Sequence, residues 1–275
     1  MVGVKLWSIC CLVLLGASVS WTDEANNPNP KGTPVIANLE MINNDVGLIL
    51  NYNQLRQRNV FFTRDCEELY LLGHRKNGVY VIQPENSTFV VVECYMHDCG
   101  GWTVLQRNSF DTYLTWSAAW TTYEFGYGNI LSDHYIGNYY INLLTAQKWN
   151  KVRFLLVDSE NRTRYADYDS FHLTNAADRY RMRLGTYEGN AGDGLSSSSN
   201  KNLHDNMRFS TFDADNDRLY NQNCANEFGG GWWFDSCYDA HLNKKGGLHW
   251  KPLCDHNCRS SLILIRPIHM YCNRV

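Results

Sequence analysis

Cysteine is the residue that most constrains this chain. The sequence holds ten cysteines, and Cys10 and Cys11 lie in the opening stretch MVGVKLWSICCLVLLGASVS. That stretch has a lone Lys5, an apolar run from Leu6 to Leu15 and small residues up to Ser20. This is the build of a secretory signal peptide over residues 1–20, with Ser18-Val19-Ser20 as the cleavage region. The apolar run is shorter than the roughly 20 residues a bilayer span needs, so no membrane span is expected. Cysteines 66, 94, 99, 224, 237, 254, 258 and 272 then remain. An even set in an exported chain reads as a disulfide framework, although spacing alone allows about 105 connectivities. The expectation is a secreted, extracellular protein stapled by disulfides.

The formal net charge is −3, and no basic block interrupts the sequence. Nucleic acid and anionic membranes are therefore poor partners. Two sequons, Asn86-Ser-Thr88 and Asn161-Arg-Thr163, are candidate glycosylation sites and would lie at the surface. Residues 21–60 read as a leader rich in Pro and Asn, followed by a short heptad through Leu39, Ile42, Val46 and Ile49. The seam fails at Asn53 and Arg56. A short oligomerising helix, giving a homo-oligomer, is one reading, and local packing of an amphipathic turn is the other. No Gly-X-Y tract is present, which excludes a collagen stalk.

From about residue 61 to 275 the patterning is that of a folded domain. GVYVIQP and STFVVVECYM read as strands, NLLTAQK (142–148) as a helix and KVRFLLVD as a buried strand. TNAADRYRM reads as a short helix entering another strand. From 185 to 250 the composition turns to Gly, Asn, Asp, Ser and Trp. Irregular stretches of that length are functional or stapled. HExxH, a nucleophile elbow and a phosphate loop are all absent, so no enzyme is expected.

Within the irregular stretch, Phe212-Asp-Ala-Asp-Asn-Asp217 sets three carboxylates at alternate positions. An EF-hand is ruled out. Counting from Asp213, Arg218 stands where Gly is required and Cys224 where a bidentate Glu belongs. The oxygen supply still suits calcium, a hard cation taking six to eight oxygen ligands. An acidic turn without a metal is the competing reading.

NCANEFGGGWWFDSC follows directly. Together with DCEELYLLGHRKNGVYVIQP, CYMHDCGGWTVLQR, LTAQKWNKVRFLLVD, RYADYDSFHL, YEGNAGDGLS, FSTFDADND and a terminal IRP, it resembles the fibrinogen-related domain of ficolins, tachylectins, angiopoietins and tenascins. The likeness runs from Cys66 to about Pro267. It implies an α+β fold, a fibrinogen C-terminal-like globular domain with a mixed sheet and few short helices. A long, irregular, disulfide-stapled subdomain would bind calcium and ligand. It implies calcium as cofactor, held by the side chains of Asp215 and Asp217 and the backbone carbonyls near Leu219 and Asn221, with Asp213 as support. This chain carries one extra residue between Asp217 and Cys224 relative to the commonest pattern. The resemblance also implies disulfides Cys66–Cys94 and Cys224–Cys237, and a cis peptide at Ser236–Cys237.

The ligand site implied by the resemblance is an aromatic funnel beside the second disulfide, falling on Phe228, Ser236, Cys237 and Tyr238. Tyr238 stands where the lectin relatives usually carry His. The loop after Asn243 is cut to LNKKGGLHW, and a further wall segment is replaced by KPLCDHNCRSS. His249, Cys254, Asp255, His256 and Cys258 in this region form a set with zinc-ligand chemistry, while an exported chain favours a disulfide for the two cysteines. Cys99 and Cys272 would pair with each other or with that pair. Two functions follow as expectations. The first is a calcium-dependent, lectin-like recognition protein of innate defence that binds glycans or acetylated groups on microbial surfaces. The second is a non-lectin ligand for a cell-surface protein, of the angiopoietin-like or extracellular-matrix type, with a degenerate sugar pocket.

Overall fold

The structure, a computed structural model, describes residues 62–97, 100–196 and 202–268. These belong to the compact unit spanning Val35–Val275. The signal peptide, the leader heptad, Cys99 and Cys272 lie outside the described residues.

Strand β1 (Gly78–Ile82) pairs with β2 (Val90–His97), and β2 with β3 (Gly100–Ser109). The final strand, β13 (Ser260–Pro267), is inserted between β3 and β6 (Asn150–Val157). Strands β7 (Thr163–Leu173) and β8 (Met182–Leu184) complete the main path, so the order is β1-β2-β3-β13-β6-β7-β8. Short strands β4 (Tyr127–Gly128), β5 (His134–Tyr135) and β9 (Tyr187–Gly189) pair off this path and bring the sheet to ten strands. Every ladder in it is antiparallel, which corrects the expected mixed sheet. The physical reason is the connectivity. No long crossover returns a strand in its neighbour's direction, as a parallel pair requires.

Alternation fixes the faces. Along β6, Val152, Phe154 and Leu156 are buried while Lys151, Arg153 and Leu155 face the more open side. On that open side Trp102 packs with Val104 and Leu264. The charged ends of Lys151, Arg153 and Arg266 stand 5.0, 4.8 and 4.9 Å from its ring. Cation–π contact and the aliphatic stems together shield the indole.

Helix α1 (Cys66–Leu71) is capped by Asp65, whose carboxylate accepts from the Glu68 N–H, and Cys66 is bonded to Cys94. It lies so close to β3 that a Cβ on Gly101 would meet the Cys66 carbonyl oxygen at 1.9 Å, so only glycine fits there. Helix α2 spans Trp120–Phe125 and α3 spans Asn138–Gln147. The second of these is the expected helix, begun four residues earlier. It buries Ile141 and Leu144 and is tied to β7 by Asn142 Nδ2, which donates to the Leu173 carbonyl. The segment at 174–182 forms a 3-10 turn, Ala176–Asp178, leading into β8.

The described residues between 190 and 250 form an irregular half, most of the irregular stretch expected over 185–250 from composition. Its regular elements are helix α4 (Cys224–Phe228) and strands β10 (Ala240–His241) and β11 (Leu248–Trp250). With β12 (Cys254–Cys258) the last two make a three-stranded antiparallel sheet. Isolated backbone bonds, such as Met182 N–H to the Met207 carbonyl, and a set of buried side chains join this half to the large sheet. Gln106 Nε2, from β3, donates to the Leu242 carbonyl at 2.9 Å and to Asn243 Oδ1 at 3.1 Å. Asn108 Nδ2 donates to the carbonyls of Leu242 and Lys244, and Asn243 Nδ2 to that of Gly231. Gln106, Asn108 and Asn243 are all fully buried, so each bond fills a demand that water cannot.

Candidate functional site

The acidic loop closes on itself through its own side chains. Asn223 accepts from the Asn226 N–H as the N-cap of α4, and its Nδ2 donates back to the carbonyls of Thr211 and Phe212. Asp217 Oδ2 accepts from the Cys224 N–H and Oδ1 from the Leu219 N–H, both at 2.8 Å. Asp215 Oδ1 accepts from the Asp217 N–H at 3.3 Å. Burial raises the Asp217 carboxyl above its ordinary range and the Asp215 carboxylate adds to this, while the two N–H groups pull the other way. Two carboxylates set against each other in a partly buried loop is the arrangement a hard cation relieves, so Asp215 and Asp217 fit calcium. Leu219 and Asn221 flank the turn that follows, with Asn221 left-handed at φ +67°. Asp213 has a different task. Its Oδ1 accepts from the Trp120 N–H at 2.9 Å and from the Thr211 hydroxyl at 2.7 Å, capping the start of α2, which lacks a cap of its own.

A buckle that sequence reasoning missed joins this loop to the second disulfide. Asp235 is fully buried, and its carboxylate takes Arg218 Nε at 2.5 Å and the Leu203 N–H at 3.0 Å. The Arg218 N–H donates to the Asp235 carbonyl, and the Asp235 N–H to the Cys237 carbonyl. Cys224 and Cys237 are bonded with Cα atoms 5.5 Å apart, and Cys254 and Cys258 with theirs 5.4 Å apart. No cis peptide occurs among the described residues, so Ser236–Cys237 is trans, contrary to the expectation. For a non-proline bond, trans is lower by about 3–4 kcal/mol.

Behind the disulfide, His204 organises the floor. Its Nδ1 donates to the Trp233 carbonyl at 2.8 Å, and its Nε2 accepts from the N–H groups of Ala240 and Asp239 at 3.0 and 3.2 Å. Two acceptances at Nε2 require a neutral ring. Burial pushes its pKa down to about 4, and the Trp233 carbonyl only partly opposes that. Its neighbour His241, also fully buried, is held well below the ordinary histidine value by burial.

The surface expected to carry ligand divides into two. On one side Tyr238 is packed among rings: Phe228 at 5.1 Å, His241 at 5.2 Å, His249 at 5.5 Å and Phe234 at 6.0 Å. His249, at the end of the shortened loop, and His256, in the replaced segment, fill this side, and their rings stack at 4.3 Å. On the other side of Phe228 lies a cavity of 320 Å³, lined by Tyr113, Thr115, Trp116, Ser117, Phe228, Gly229, Lys244 and Lys245. Trp116 is its buried floor, anchored by Nε1 donating to Asn108 Oδ1, while Tyr113 is fully exposed. Of the expected ligand residues, Phe228 lines this cavity; Cys237 is buried, Tyr238 is half-buried and Ser236 is exposed beside the disulfide. The shortened loop supplies the two lysines. Its sequence signal was visible as LNKKGG, but which cavity those lysines would reach was not.

Helix α4 connects the two features. Asp217 bonds its first residue and Phe228 is its last, about 6 Å further along the axis. Asn86 and Asn161 sit exposed at left-handed turns, open to glycan attachment.

Comparison with known proteins agrees with this architecture. The family described as the C-terminal globular domain of fibrinogen beta and gamma chains matches residues 62–256. A fibrinogen-like protein 1-like protein of Gallus gallus is 44% identical over 202 residues, covering 72% of this chain and 70% of that protein. Fibrinogen-like protein 1 of Homo sapiens is 37% identical over 188 residues, covering 65% of this chain and 60% of that protein. Among solved structures, the fibrinogen-like globe domain of human ANGPTL6 superposes with a TM-score of 0.69 at 33% identity, covering 76% of this chain and 96% of the domain. A lamprey fibrin D-dimer complexed with the peptide ligand Gly-His-Arg-Pro-amide superposes with a TM-score of 0.70 at 29% identity, with 78% of each chain covered. This chain therefore belongs to the fibrinogen C-terminal domain family.

Proposed function

We propose that this chain is an extracellular recognition protein that docks a protein or peptide ligand in the cavity beside Phe228. The cavity itself carries the reading. It offers aromatic walls from Trp116, Tyr113 and Phe228, and two cations, Lys244 and Lys245, with no carboxylate among its lining residues. Those groups suit a peptide segment that presents a carboxylate beside an apolar side chain. The fibrinogen-like and angiopoietin-like character of the relatives supports a protein ligand over the ficolin-type glycan lectin, as does the ring packing that fills the Tyr238 side. A peptide seated on the lamprey fibrin neighbour is a precedent within the fold.

Calcium belongs to this reading as an ordering ion. Asp215 and Asp217 would hold it, with the carbonyls of Leu219 and Asn221 completing the set. Neutralising the carboxylate pair would fix the N-terminal end of α4 and hence the position of Phe228. The apolar run in the first twenty residues and the disulfides support export, and the leader heptad, if it oligomerises, would supply multivalency.

The test is a fluorescent multimer of the protein screened in calcium against cells expressing individual membrane proteins, with a glycan array in parallel. Binding to a protein-expressing line is expected to survive enzymatic deglycosylation and to fall about tenfold or more in a Lys244→Glu/Lys245→Glu variant. A glycan hit that persists in that variant would return the site to the lectin reading.

A further inference from the structure

The replaced segment and the strand that precedes it hold three side chains whose metal-binding chemistry the ligand reading does not use. Between β11 and β12, Leu248 pairs with Cys258 and Trp250 with Cys254. A single residue on one strand thus faces three on the other, Asp255-His256-Asn257, and the longer segment bulges outward. The Cys254–Cys258 disulfide closes the base of this bulge. His256 adopts φ +59°, which turns the chain at its tip. The bulge stands over His249, the residue between the two pairing positions.

As a result His249 Nδ1 and His256 Nε2 both face Asp255 Oδ1, at 3.4 and 3.6 Å. The three donor atoms lie within 4.8 Å of one another. His249 is nine-tenths buried, and its Nδ1 has no hydrogen-bond partner. A buried imidazole nitrogen left without a hydrogen bond and aimed at an exposed carboxylate is an arrangement that a metal ion completes. Ligands about 2.0–2.1 Å from a tetrahedral ion stand about 3.4 Å apart, close to two of these separations. The remaining edge closes when His256, half-exposed on the bulge, swings out of its stack on His249 so that both ring nitrogens converge. Lys251, a cation at the edge of the same small sheet, is occupied by Asp239 at 2.9 Å.

We infer that His249, Asp255 and His256 form a binding site for zinc or a similar divalent transition metal at the rim of the ligand surface. Two imidazoles and one carboxylate select zinc, nickel or copper over calcium and magnesium. Three protein ligands leave one coordination position open to solvent, as the exposure of Asp255 requires. The site is independent of the acidic loop, which offers only oxygen, and of the identity of the docked ligand.

The test uses the untagged, fully oxidised chain in saturating calcium, titrated with zinc by calorimetry and with cobalt by visible absorption. One zinc per chain is expected, along with the visible bands of low-coordinate cobalt. Loss even of outer-shell partners of a metal ligand costs 10–100-fold, so Asp255→Asn and His256→Gln should each weaken zinc by about 100-fold or more. Both positions are exposed, and their zinc-free melting temperatures should match the parent. Absence of zinc binding in the parent chain, or undiminished affinity in either variant, overturns the assignment.

Discussion

The large sheet and the irregular half between residues 190 and 250 are stabilised in different ways. In the sheet the strands share antiparallel ladders, and strands such as β2 and β6 add an alternating buried face. The contribution is spread over many residues, of which Val152, Phe154 and Leu156 are typical. In the irregular half the backbone groups have few ladders to join. Scattered turn bonds meet part of the demand, and a handful of polar side chains, each serving two or three partners, meet much of the rest: Asn243, Asp235 and His204, which are buried, and Asn223 and Asp217, which are half-buried. The lesson is one of vulnerability. Truncating an apolar residue in the sheet removes transfer energy and leaves a cavity, whereas removing one of these side chains strands several buried groups at once.

That contrast is broken or sharpened by four measurements. The largest effect is expected at Asn243, whose loss takes one of its two acceptors from Gln106 Nε2 and the donor from the Gly231 carbonyl inside the protein. Asn243→Ala should cost about 4 kcal/mol in chemical denaturation, more than Val152→Ala at about 2 kcal/mol. Equal costs would erase the distinction.

His204 comes next, through pH. Its folded pKa of about 4 lies below the unfolded value near 6.5, so the unfolded chain binds the proton more readily. Stability is therefore complete above pH 6.5 and declines as the pH falls from 6.5 towards 4, by about 3 kcal/mol for this residue. His241, shifted in the same direction, adds to the decline. Thermal melts at intervals across that window should show the loss, and a flat profile would mean that His204 is not held neutral.

Calcium should act on the irregular half alone. At about a hundred times its Kd it should add about 2.7 kcal/mol, seen as a higher melting temperature, and Asp217→Asn should abolish that rise. Hydrogen exchange is expected to slow around α4 and the acidic loop, not along β6 and β13. An identical melt in calcium and in chelator would remove calcium from the proposed function. Smallest is Arg218→Ala, which leaves the buried Asp235 with the Leu203 N–H alone. Because Arg218 is more than half exposed, the solvent-screened pair should contribute about 1–2 kcal/mol, near the lower end for charged hydrogen bonds.

Much of this molecule was readable before any coordinates. Strands β1, β2 and β6 follow from apolar, β-branched runs bounded by turn residues, and α3 from its helical run, because these patterns are local. The Cys66–Cys94 and Cys224–Cys237 bridges came through the family resemblance, since spacing leaves the pairing undetermined. The mixed sheet was a misjudgement. Strand direction depends on how the chain returns, and alternation carries no record of it. The cis peptide at Ser236 was carried over from relatives and does not hold here.

The sequence on its own determined the class of protein: a stapled α+β domain, several of its strands, its family and its acidic loop. Those rest on neighbours in the chain or on motifs long enough to be specific. Only the tertiary structure decided what those parts do to each other. Gln106 meets Asn243 across 137 residues, and Arg218 meets Asp235 across 17. Phe228 stands between a filled aromatic face and an open lysine-lined cavity, and the bulge at 255–257 is set over His249. Contacts between residues distant in the chain leave no periodic trace in it, because each depends on how whole elements pack and not on the preferences of adjacent residues.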